Sequence, residues 1–135
     1  MIDLYTWATP NGRKISILLE EINTPYSVHP VNIIENEQFS DKFSRIAPSN
    51  KIPAITDRDN GQSIFESGAI MMYLAKKHDQ FLSQKHYWQI MEWVIFQLSQ
   101  VGPVLGQAHQ FLYYHPNQNA FVEKKYIDYT KRIYQ

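Results

Sequence analysis

Residues 49 to 69, Ser49-Asn50-Lys51-Ile52-Pro53-Ala54-Ile55-Thr56-Asp57-Arg58-Asp59-Asn60-Gly61-Gln62-Ser63-Ile64-Phe65-Glu66-Ser67-Gly68-Ala69, decide how the chain folds. Ile52-Pro53 opens a β-branched run over Ala54 to Thr56, an Asp-Asn-Gly turn follows, and a second run covers Ser63 to Phe65. Two such runs about such a turn read as a β-hairpin. Beyond it Ile70, Met71, Tyr73 and Leu74 recur at helical spacing, which puts the start of a helix at Glu66 or Ser67. The first amides of a helix have no partner inside it and favour an anion. Pro53 brings no N–H to the head of its strand, so Ile52 is left to pair its backbone with something extended from outside the chain. A strand edge beside a helix N-terminus suits a short peptide with a free carboxylate.

Upstream, Ile2, Leu4 and Tyr5 make a short strand that runs into a turn-rich loop, Thr6 to Gly12. A helix is expected beyond Gly12, because Ile15, Leu18, Leu19 and Ile22 form one apolar face. Thr24-Pro25 stops it, since the residue before a proline leaves the α region. Tyr26 to Val31 is a second strand, and Gln38 to Ile46 a short helix with Phe39, Phe43 and Ile46 on one side. The first part thus reads β-α-β-α-β-β-α, an α/β domain over residues 1–78. After a linker over 79–84 the character changes. Tyr87, Ile90, Met91, Val94, Ile95 and Leu98 mark a long amphipathic helix, which Gly102-Pro103 interrupts or kinks. His115-Pro116-Asn117 is the next break, and Val122, Tyr126, Tyr129 and Ile133 mark a further helix. Helices with one apolar face need others to cover it, so residues 85–135 read as part of an all-helical domain.

Composition narrows the function. Thirteen Lys plus Arg balance thirteen Asp plus Glu, which speaks against a nucleic-acid or membrane-surface field. No apolar run approaches the roughly 20 residues of a membrane span, and Met1-Ile2-Asp3 leads straight into a strand, so the cytoplasm is the expected location. The five histidines form no ligand pattern, and no metal is expected. There is no cysteine, so any sulfur chemistry must use the sulfur of a ligand.

The order of elements, with Asn50-Lys51-Ile52-Pro53-Ala54-Ile55 and Phe65-Glu66-Ser67-Gly68-Ala69-Ile70, resembles a glutathione transferase. Thr9-Pro10-Asn11-Gly12-Arg13-Lys14 and Gly102-Pro103-Val104-Leu105-Gly106-Gln107 resemble more narrowly the nu class, the glutathione-dependent disulfide oxidoreductase branch. The resemblance covers the whole chain, while family members continue through several further helices, so the helical domain is expected to be incomplete. It implies a thioredoxin-like first domain, glutathione as the substrate-like ligand, a disulfide or electrophilic small molecule as second substrate, and a homodimer where the helical domain is complete.

The resemblance also assigns roles. Thr9 and Asn11 would act on the ligand's sulfur, and Asn11, Gln38, Lys51, Ile52, Pro53, Glu66, Ser67 and Arg132 would bind glutathione. Thr-Pro-Asn-Gly is by itself an ordinary turn, and Glu66-Ser67 by itself an ordinary helix cap. Bringing a free thiol, with a pKa near 8.5, to mostly thiolate at neutral pH takes about 2.7 kcal/mol. One or two charge-assisted hydrogen bonds of roughly 1.5 to 3 kcal/mol each suffice, and Asn11, Thr9 and a helix start offer such donors. The resemblance further implies a cis Ile52-Pro53 bond. Three readings follow: thiol–disulfide exchange through bound glutathione, conjugation of glutathione to an electrophile, and a non-catalytic binding module.

Overall fold

A computed structural model describes residues 1–135. The chain divides into two compact units, Met1–Gln84 and Lys85–Gln135. In the first, β1 (Ile2–Thr6), α1 (Pro10–Glu21) and β2 (Tyr26–Pro30) lead to a 3₁₀ turn (Glu37–Phe39) and the short α2 (Asp41–Ser44). The hairpin of β3 (Ala54–Asp57) and β4 (Gln62–Phe65) and then α3 (Ser67–His78) complete it. The expected β-α-β-α-β-β-α order is present, and the unit is a thioredoxin-like α/β domain built on one four-stranded sheet.

The strands lie in the order β2-β1-β3-β4, with β1 parallel to β2 and β3 antiparallel to both its neighbours. Alternation along β1 sends Ile2 and Leu4 to one side, where with Ile55 they pack on Ile15, Leu19 and Ile22 of the α1 region and Ile70 and Leu74 of α3. Tyr5 belongs to the smaller cluster of Val31, Phe43, Ala47 and Ala54. Ala54 and Ile55 are both fully buried, as expected of a strand covered on two faces.

Two boundaries differ from the sequence reading. The first helix begins at Pro10, not beyond Gly12, because Thr9 caps it: the Thr9 Oγ1 accepts from the Gly12 amide at 3.3 Å, and Pro10 sits where no N–H is needed. Gly12 therefore lies inside the first turn, and a Cβ there would collide with Thr6 Oγ1 and stand 2.8 Å from the Trp7 carbonyl. The helix expected over Gln38 to Ile46 is split, since Ser40 is extended and its hydroxyl caps α2 through the Phe43 amide at 3.3 Å.

The second unit is all helical: α4 (Tyr87–Phe96), a π-helical turn (Gln97–Val101), α5 (Gly102–His109), a second π-helical turn (Gln110–Tyr114) and α6 (Ala120–Ile133). The break expected at Gly102-Pro103 takes the form of the first π turn, a device that lets a helix accommodate a residue without an N–H. Asn119 caps α6 by accepting from the Val122 amide at 3.1 Å, and α6 packs on α5. No helix is long and apolar enough to cross a membrane.

Candidate functional site

Asn11, Lys51, Ile52, Pro53, Glu66 and Ser67 line one small cleft of about 50 Å³ in the first unit. Three segments far apart in sequence meet there: the start of α1, the loop before β3 and the start of α3. The Ile52-Pro53 bond is cis. Neither the amide nor the carbonyl of Ile52 has a partner within the fold, so the backbone edge is open.

The start of α3 is built for an anion. Its first backbone bond runs from the Ile70 amide to the Glu66 carbonyl at 2.9 Å, leaving the amides of Ser67, Gly68 and Ala69 without acceptors. Ser67 is only 6% exposed as a residue, and its hydroxyl makes no hydrogen bond within the fold. Glu66 occupies the capping position without a cap bond from its side chain, at φ 70° and ψ 119°. For a residue with a Cβ this is a strained region, of the kind that collects at ligand sites. The exposed Glu66 carboxylate makes no ion pair, so a cationic group can approach it freely.

At the α1 side, Thr9 does not line the cleft but caps the helix on which Asn11 sits. Its hydroxyl oxygen is used as an acceptor, and its proton remains available. Asn11 Oδ1 accepts from Lys14 Nζ at 2.8 Å, while Asn11 Nδ2 is unpaired. Burial pushes the Lys14 ammonium below its usual pKa.

Gln38 is outside this small cleft, on the 3₁₀ turn, with its Oε1 covered and unpartnered. Asn50 ties it to the loop before β3, donating from Nδ2 to the Gln38 carbonyl at 3.0 Å and to Ser44 Oγ at 2.6 Å. Asn50 adopts φ 54°, which asparagine tolerates better than most residues. Arg132 belongs to the second unit, where its guanidinium lies 4.7 Å from the Tyr129 ring centroid. Behind the hairpin, Asp57 is fully buried and accepts from Tyr73 Oη, Lys77 Nζ and the Asp59 amide. Burial pushes its carboxyl up, but the bonds from Lys77 and Tyr73 outweigh this and bring it down to about 2. This knot pins the end of β3 to α3 and so fixes the hairpin against the helix whose N-terminus forms the cleft.

A wider hollow of about 400 Å³, lined by Tyr5, His29, Val31, Glu37 and Phe43 among others, contains none of the predicted site residues. Its His29 already bonds Asp3 and its Glu37 the Asn32 amide, so these polar groups are engaged within the fold.

Residues 1–76 match the family model of the glutathione S-transferase N-terminal domain. The chain belongs to the glutathione S-transferase family. Among its relatives is the disulfide-bond oxidoreductase YfcG of Escherichia coli, 42% identical over 141 residues, covering 99% of this chain and 66% of that protein. A glutathione transferase from Pseudomonas putida, solved with one glutathione disulfide per subunit, is 38% identical with a TM-score of 0.89, covering 98% of this chain and 61% of that one. One from Burkholderia graminis, solved with two glutathione molecules per subunit, is 37% identical with a TM-score of 0.92, covering 98% and 58%. The chain thus spans 58 to 66% of the length of these three. Within this transferase fold, sequence reading missed Asn50 as a clamp, Lys14 as the partner of Asn11, and the Asp57 knot. Each had a faint signal: an asparagine before the Lys-Ile-Pro motif, a lysine one helical turn after Asn11, and an acid at the end of a buried strand.

Proposed function

We propose that this chain binds glutathione in the cleft of its thioredoxin-like domain, residues 1–78, and uses the bound thiol to reduce disulfides. The observation that carries this reading is the set of three free helix amides at Ser67, Gly68 and Ala69, beside a Ser67 hydroxyl with no bond in the fold and next to the open Ile52 backbone. A γ-glutamyl carboxylate suits the Ser67 end, its ammonium suits Glu66, and an extended cysteinyl unit suits Ile52. Lys51 and Gln38 serve the glycyl end. Residues 79–84 act as linker and 85–135 as part of a helical domain. The cytoplasm and a homodimer go with the same proposal.

Asn11 Nδ2 and the Thr9 hydroxyl donate to the ligand's sulfur and favour its charged form. The thiolate attacks one sulfur of a substrate disulfide; a new S–S bond forms, the old one breaks, and the departing thiolate takes up a proton. A second glutathione attacks the mixed disulfide at the glutathione sulfur, yielding glutathione disulfide and the second free thiol. No protein cysteine takes part, because none exists.

Calorimetric titration with reduced and oxidised glutathione tests binding, with a model disulfide and glutathione as sole reductant testing turnover. Ser67→Ala is expected to weaken binding by roughly 1.5 to 3 kcal/mol, the value of a hydrogen bond to a charged group. Binding equal to the parent's would overturn the placement of the carboxylate. Conjugation of an aryl halide without disulfide reduction would overturn the assigned chemistry.

A further inference from the structure

The geometry points to Lys14 as a positioning residue for this chemistry, one that orients the Asn11 amide so that its N–H groups, not its oxygen, face the reacting sulfur. The inference rests on the disulfide-reductase reading above and adds a residue that reading does not contain.

An asparagine amide is nearly symmetric in shape, and which end it presents is decided by its partners. Asn11 has a single one: Lys14 Nζ at 2.8 Å from Oδ1. An ammonium can only donate, so the contact fixes the oxygen on the lysine side and turns Nδ2 away from it. Residues three apart lie on one helical face, which lets the lysine reach back over the first turn of α1. An amide turned the other way would aim an oxygen at an anionic sulfur and repel it.

Nothing in the fold otherwise explains this lysine. It forms no ion pair, and its one side-chain hydrogen bond is the one to Asn11. The first turn of α1 contains no acid to pair with it. Burial lowers its pKa with no carboxylate to compensate. A partly buried cation without a counter-charge costs stability, and its bond to Asn11, which lines the cleft, supplies a reason to keep it there.

The test compares Lys14→Met, which keeps length but no donor, with Lys14→Arg, which keeps donor and charge. Nuclear magnetic resonance of the Asn11 side-chain amide in the ligand-free protein reports its order directly. Lys14→Met is expected to loosen that amide and Lys14→Arg to preserve it. With glutathione bound, Lys14→Met is expected to raise the thiol pKa in a thiolate absorbance titration. It should lower kcat for disulfide reduction about two- to tenfold, the cost of ordering one freed side chain, with KM for glutathione nearly unchanged. Asn11→Ala combined with Lys14→Met should be no slower than Asn11→Ala alone, because the lysine acts through the asparagine. Additive losses in the double variant would overturn positioning in favour of a direct charge effect, and an unchanged Asn11 amide in Lys14→Met would overturn it outright. Failure of the underlying reading has its own signature: Asn11→Ala itself would leave disulfide reduction unchanged, and the role of Lys14 would fall with it.

Discussion

Replacing Glu66 by glycine should move stability and ligand binding in opposite directions. Its backbone, at φ 70° and ψ 119°, lies where a Cβ is disfavoured, and its exposed side chain makes no hydrogen bond or ion pair that the fold would lose. Strain of this kind costs about 1 to 3 kcal/mol. Glycine removes it but adds about 0.5 to 1 kcal/mol of chain entropy. Glu66→Gly is therefore expected to stabilise the protein by up to about 2 kcal/mol. Glu66→Ala keeps the Cβ and hence the strain, so its stability should match the parent's. Both variants lose the carboxylate proposed to face the ligand's ammonium, a charge-assisted contact of roughly 1.5 to 3 kcal/mol, or about 10- to 150-fold in Kd. Urea denaturation of parent, Ala and Gly forms gives the first quantity, and calorimetry with glutathione the second. The difference between Gly and Ala isolates the backbone contribution, since the side chain is absent from both. A Gly variant no more stable than the Ala variant would refute the strain argument, and glutathione binding unchanged in both would remove Glu66 from the site.

Asn50→Ala should cost about 2 to 3 kcal/mol, from two lost hydrogen bonds and a left-handed backbone that alanine dislikes, and should weaken glutathione binding by freeing Gln38. Asn50→Gly, which tolerates the backbone, should recover part of the stability and none of the binding; equal effects in the two variants would discount the backbone. Asp57, with its carboxyl held at about 2 against an ordinary 3.8, contributes stability that is present above about pH 4 and is lost as pH falls through about 2. That contribution is about 2 kcal/mol, and an acid unfolding profile of Asp57→Asn that kept the same dependence over this window would show the knot to be irrelevant. In the second unit Trp88, Trp93 and Phe121 are 77%, 71% and 76% exposed. Because large bare apolar surfaces rarely stay unpaired, self-association is expected in sedimentation runs at rising concentration, and a monomer at all concentrations would contradict it.

Much of the first unit was legible because its signals are local. Alternation in Ile2 to Tyr5, the Asp-Asn-Gly turn and the helical spacing after Ser67 each depend on residues a few positions apart, and each element stands where its pattern put it. The start of α1 was misplaced by a turn for an equally local reason. Thr-Pro-Asn-Gly satisfies the rules for a turn and those for a capped helix start, and the choice falls to Thr6 and Trp7, whose atoms crowd Gly12 in the folded chain. The same kind of tie hid the split at Ser40, where a hydroxyl that caps α2 reads equally well as a polar residue inside one longer helix.

The site was legible in its residue types but not in its wiring. The motifs around Ile52-Pro53 and Glu66-Ser67 name the groups that meet in the cleft, yet a hydrogen bond such as that from Asn50 to the Gln38 carbonyl joins backbone twelve residues away and leaves no periodic trace. The strain at Glu66 is similarly silent, since propensity would put glycine or asparagine at φ 70°. That a glutamate stands there is itself informative. A position where the backbone argues for glycine and the chain supplies a carboxylate is one where the side chain is retained for something other than folding. Lys14 is a related case: it lies one turn along α1 from the cleft, forms no ion pair, and spends its one side-chain hydrogen bond on the Asn11 amide that lines the site. In both cases the local rules of folding leave the charged group without a task, and its neighbours in the cleft supply one: Glu66 offers its carboxylate to a ligand cation, and Lys14 sets the orientation of Asn11.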